Sequence, residues 1–135
     1  MMTLLKGVGA VLVGLVTGMV VVVALTFLAT LIFFEGDRTA SPTAPYLVLN
    51  IAYSFAAAIL AGWLAARLAG TRPIVHAAGV ALAMLILSAG SGGASGPAVG
   101  VPEWYGPTLT LLMPLGALIG GWLRARSLAP GVERR

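Results

Sequence analysis

From Val8 to Phe34 the chain runs apolar with no proline and no acidic residue. That length constrains the fold more than any other feature. A helix over Gly7–Phe34 extends roughly 40 Å at 1.5 Å per residue, against about 30 Å for the hydrocarbon core of a bilayer, so it must tilt or protrude. A helix satisfies its own backbone polar groups, which is what lipid as a solvent demands. The preceding Met1-Met2-Thr3-Leu4-Leu5-Lys6 carries a single positive charge, as a signal peptide would. The apolar run after it far exceeds a signal core of about 7–15 residues, and no small-residue cleavage site interrupts its end at Leu31-Ile32-Phe33-Phe34-Glu35. It reads as a retained first membrane span.

The remaining chain is apolar in the same way. Of its 135 residues 59% are hydrophobic and 9% charged, and the mean hydropathy of +1.02 lies outside the range of water-soluble domains. Proline and glycine divide the chain beyond Phe34. Glu35 to Pro45 is a polar connection with two prolines, and Tyr46 opens the second helix at the interfacial depth tyrosine prefers. Ala69-Gly70-Thr71-Arg72-Pro73 is a tight turn, with Gly70 suited to a helix end and Pro73 to a helix start. Ser88 to Pro97 is too rich in glycine and serine to hold a helix on propensity, and is expected as a flexible external loop continuing through Glu103. Trp104-Tyr105 re-enters the interface, and Pro114 predicts a kink in the last helix. The expected fold is therefore an all-α membrane protein, a single domain over 1–135. Its four transmembrane helices, about 7–34, 46–68, 73–88 and 105–126, form an up-down bundle.

Charge orients that bundle. Lys6, Arg67, Arg72, Arg124, Arg126, Arg134 and Arg135 fall on the side of the termini, and only Arg38 falls opposite. Seven against one places both termini in the cytoplasm. Glu35, Asp37 and Glu103 fall outside. The net charge of +4 is thus explained by flanks of membrane spans, and no nucleic-acid partner is expected. The absence of cysteine excludes disulfides, thiol chemistry and cysteine-ligated metals.

Small residues recur at four-residue spacing: Ala10, Gly14 and Gly18 in the first helix, Ala58, Gly62 and Ala66 in the second, and Gly116 and Gly120 in the fourth. In lipid, such rows let backbones approach closely. The stretch Gly62-Trp63-Leu64-Ala65-Ala66-Arg67 returns as Gly121-Trp122-Leu123-Arg124-Ala125-Arg126, at an offset of 59 that also pairs Tyr46 with Tyr105. Two explanations fit this echo. One is a duplication giving two tandem helical hairpins related by an axis along the membrane normal. The other is the shared residue alphabet of helices that leave a membrane. In either case Trp63 with Arg67, and Trp122 with Arg126, stand at i and i+4 as interfacial anchors.

No catalytic constellation emerges. His76 is the single histidine and has no second ligand at metal spacing, so no metal, cofactor or enzymatic activity is expected. His76 reads as an interfacial histidine bonded to a carbonyl or headgroup, with a proton-responsive role as the alternative. Asn50 and Ser54 lie one turn apart with Tyr53 beside them. They read as hydrogen-bonding groups between helices, or, with Glu35 and Glu103, as an outer polar vestibule. Thr17, Thr26, Thr30 and Thr110 can return their hydroxyl bonds to their own helix. No charge falls near the midplane of any span, which argues against an ion-coupled carrier.

Four spans, cytoplasmic termini and an arginine-ended Gly-Trp-Leu segment resemble the small four-helix membrane proteins of bacteria, whose functions are mostly unassigned. The resemblance implies a multi-pass protein of the bacterial inner membrane. The chain does not resemble the small multidrug transporters, which carry a glutamate within the first helix. An excess of close-packing surface without chemistry points to an accessory or assembly partner of a membrane complex, acting in the lipid bilayer as a homo-oligomer or beside another membrane protein. A small transporter or channel component is the alternative.

Overall fold

The structure, a computed structural model, describes residues 1–92 and 100–129, with the backbone alone at 91 and 92. It consists of α1 (Met2–Phe34), α2 (Ala44–Ala69), α3 (Pro73–Gly92) and α4 (Tyr105–Leu128). No strand occurs among the described residues. All four helices are long and apolar enough to cross a membrane.

Local chemistry sets the ends. Glu35 adopts the left-handed conformation (φ 51°), which turns the chain so that the Gly36 N–H reaches the Thr30 carbonyl at 3.3 Å. Thr43 is extended ahead of α2, Pro45 occupies its first turn, and the Leu47 N–H reaches the Thr43 carbonyl at 3.0 Å. Gly70 closes α2 at φ 75°, a conformation a side chain resists. Arg72, at φ 47°, presents its carbonyl to the Val75 N–H at 3.0 Å and so opens α3.

The helices exceed the expected bounds. α1 begins at Met2 and α4 ends at Leu128. Ser88–Gly92, read from composition as the start of a loop, is helical; the later part of that loop, 93–99, lies outside the described residues. The reason is cooperativity: extending an existing helix gains one hydrogen bond per residue fixed, which glycine and serine weaken without abolishing. α4 continues through Pro114, which is buried.

α2 is the hub. It carries the two largest seams, with α1 and α4, and packs on α3 as well; α3 also reaches the other three helices but through smaller seams, and α1 makes no contact with α4. The α1–α2 and α2–α4 seams are the most extensive, the α1–α3 seam the least. Along α1 and α2 the contacts run in opposite order, Gly14 on Ala61 and Ala65, Gly18 on Ala57, and Thr26 on Tyr53. Along α2 and α4 they run in the same order, Asn50 with Tyr105, Ala58 with Gly116, and Ile59 with Gly120.

The core is made of small residues. Ala58, Ala61, Ala65, Ala77 and Ala117 are fully buried, and Val80 is the largest side chain to be so. Bulky residues such as Val23, Ile32, Ile86 and Leu111 point outward, the reverse of a water-soluble interior. Backbones touch where side chains are missing: a Cβ on Gly62 would enter the Ala117 carbonyl, and one on Gly120 the Ile59 carbonyl. The two copies of the echoed segment pack differently. Gly62 faces α4, whereas Gly121 faces Ala77 on α3.

Candidate functional site

Asn50 and Ser54 are the buried polar residues of the described core, 8% and 3% exposed. The Asn50 Nδ2 donates to the Tyr53 hydroxyl. Its Oδ1 accepts from the Tyr105 hydroxyl at 2.5 Å and, at the longer distance of 3.5 Å, from Ser54 Oγ. Tyr53 also shares a hydrogen bond with Thr26 Oγ1 at 2.8 Å, in which either hydroxyl can donate. Thr30 Oγ1 donates to the Thr26 carbonyl at 2.9 Å, which leaves Tyr46, 3.4 Å away, as the donor to Thr30. One connected set of hydroxyls and an amide thereby ties α1, α2 and α4 together.

Three of the five expected vestibule residues, Asn50, Tyr53 and Ser54, thus meet. Glu35 and Glu103 are exposed, and no hydrogen bond or ion pair joins them to the network among the described residues. Beside the network a groove of about 500 Å³ opens between α1 and the α1–α2 connection, lined by Thr26, Phe27, Thr30, Phe34, Arg38 and Tyr46. Arg38 lies over the Phe27 ring at 5.8 Å, and Tyr46 meets Phe34 edge-on with centroids 5.0 Å apart. At the groove's rim Asp37 accepts from the Thr39 hydroxyl at 2.7 Å and the Thr39 N–H at 2.8 Å. Those bonds, the hydroxyl's first, hold its carboxyl below the ordinary range. The groove offers hydroxyls and aromatic walls with one cation at the mouth, a surface for a neutral or amphiphilic molecule.

At the opposite end Arg67 lies over the Trp63 ring at 5.1 Å and Arg126 over Trp122 at 4.5 Å, each covering one of the expected anchors. Arg124 donates to Ser127 Oγ at 3.2 Å. His76 Nδ1 lies 3.0 Å from the Arg72 carbonyl; a carbonyl only accepts, so Nδ1 carries the proton. Its Nε2 faces Gly7, where a Cβ would stand 2.8 Å away. No group of three metal-ligating side chains occurs among the described residues.

Reading the sequence missed Tyr105, Thr26 and Tyr46 as members of the network. Thr30 does bond its own helix, but Thr26 turns outward to Tyr53. The available signal was the pairing of two hydroxyls one turn apart on α1 with two tyrosines two turns apart on α2. Set against protein-family models, curated proteins and solved structures, the chain matches none.

Proposed function

We propose that the chain is a four-span up-down bundle of the bacterial inner membrane with both termini in the cytoplasm. In this reading it has no catalytic role and serves as an accessory or assembly partner of a membrane complex. The observation that carries the reading is the use made of the interior polar groups. Asn50, Tyr53 and Ser54 are hydrogen-bonded to one another on α2, and Tyr105 from α4 and Thr26 from α1 bond to them across helices, which is structural work of the kind that locks a bundle's geometry. With glycine and alanine turned inward, the bulky perimeter is what such a protein offers to a neighbour, most of all along α1, where Val16, Val20 and Val23 are 52%, 62% and 63% exposed.

The lack of cysteine makes the test direct. Single cysteines at Val16, Val20 or Ile86 of the full chain, cross-linked in native membranes and then purified in mild detergent, should trap one stoichiometric neighbour or a second copy from the α1 face. A strictly monomeric species in native mass spectra, with no cross-link from any position, overturns the reading.

The outer groove favours a second reading, a small transporter or channel component, because hydroxyls line an opening beside Arg38. On that reading solute flux into liposomes should fall on Asn50→Ala. Flux that is absent, or indifferent to the substitution, removes it.

A further inference from the structure

We propose that the seam between α1 and α3, at the end of the bundle carrying Lys6 and Arg72, binds the phosphate headgroup and upper acyl chains of one anionic phospholipid. The proposal rests on the membrane placement of the four helices. α1 and α3 form the least extensive of the contacting helix pairs. They meet where Gly7 faces His76 and where Gly79 faces Val11, and beside these points they leave a groove of about 770 Å³. The groove is amphiphilic by construction. Its walls are Val8, Leu12 and Val75, all more than half exposed, and Lys6, Arg72 and His76 line it as well.

The cations of this end are not equivalent. Arg67 and Arg126 lie on indole rings and Arg124 on Ser127. Lys6 and Arg72 make no ion pair, hydrogen bond or ring contact through their side chains among the described residues, and both line the groove. Among the described residues no carboxylate lines it, and Glu35, Asp37 and Glu103 belong to the opposite end. The backbone that carries one of the two cations is held in place: Arg72 adopts φ 47°, with its carbonyl engaged by Val75 N–H and His76 Nδ1. α3 begins at the next residue, so the positive end of its dipole faces the same rim. Two unengaged cations above an apolar cleft match a phosphate joined to hydrocarbon chains; a free phosphate would leave the cleft walls without a use.

The test uses the full chain in detergent, titrated in native mass spectrometry with phosphatidylglycerol and with phosphatidylcholine of the same acyl chains. Phosphatidylglycerol is expected to be retained preferentially. Each basic residue near a membrane surface is worth about a factor of five toward an anionic lipid, so Lys6→Gln with Arg72→Gln should weaken phosphatidylglycerol binding about thirtyfold and leave phosphatidylcholine unchanged. Arg67→Gln with Arg126→Gln removes the same charge from the same end and should leave the preference intact. Val75→Glu keeps both cations, sets a carboxylate on the groove wall, and should abolish the preference. Equal retention of both lipids by the unaltered protein overturns the site. So does an equal loss in the Arg67/Arg126 variant, or displacement of the lipid by inorganic phosphate. A chain that retains neither lipid and does not partition into vesicles instead overturns the membrane placement.

Discussion

Replacing Gly62 by alanine adds one methyl group at the tightest point of the α2–α4 seam. The new Cβ would lie inside 3.0 Å of the carbonyl oxygen, carbonyl carbon and Cα of Ala117. All three are backbone atoms, so no rotamer change relieves the overlap and the helices must part by about 1 Å. A gap of that size forfeits roughly a quarter to a half of the dispersion well of each atom pair it opens. With on the order of twenty close pairs at about 0.15 kcal/mol each, the loss is about 1 kcal/mol. Residual overlap raises the expected destabilisation to about 1–3 kcal/mol. Gly9 supplies the control, since nothing lies within 4 Å of its Cβ position and it too sits within a helix. Gly9→Ala should be neutral or stabilising by up to about 1 kcal/mol. Equilibrium unfolding in mixed micelles, followed by tryptophan fluorescence, gives both values. Gly120→Ala, on the same seam, should cost as much alone but less than additively with Gly62→Ala, because the first substitution has already opened the seam. If Gly62→Ala is no less stable than Gly9→Ala, the backbone-to-backbone packing of α2 on α4 is wrong.

Three further outcomes are expected. In a double-mutant cycle, Asn50→Ala and Tyr105→Phe should show a coupling of about 0.6–1.7 kcal/mol, the span found for hydrogen bonds between membrane helices; zero coupling would remove the α2–α4 hydrogen bond. Gly70→Ala meets open space, yet φ 75° should cost it about 1–2 kcal/mol in the same unfolding measurement, and no loss would show that α2 does not end in a left-handed residue. The Asp37 carboxyl titrates below its ordinary 3.8, so its ordering of the α1–α2 connection is fully present above that pH and is lost as pH falls through the depressed folded value. The Thr39 amide shift in NMR should follow that titration and become flat in Asp37→Asn.

Four apolar segments and most of their ends were legible because proline, glycine and charge punctuate them: Pro45, Gly70 and Pro73 each stand where a helix starts or stops. The extra helical turn at Ser88–Gly92 was not, since composition records propensity and not the gain from continuing a helix already formed. Packing phase was harder still. A segment apolar on every side carries no amphipathic period, so the small residues alone mark which face turns inward. Gly14, Gly62, Gly116 and Gly120 gave that face, but not that Gly62 would meet Ala117 while its echo Gly121 turned to Ala77. For the polar network, Asn50, Tyr53 and Ser54 declared themselves by proximity along one helix. Tyr105 is 55 residues from Asn50, and its role depends on α4 lying beside α2.

The hub position of α2 also imposes an order in time. A chain made from its N-terminus completes α2 while one whole side of it, the row of Ala58 and Gly62, has no neighbour. Until Tyr105 arrives, Asn50 Oδ1 has only the distant Ser54 hydroxyl to answer it. The last helix therefore completes a hydrogen bond that the second has held open.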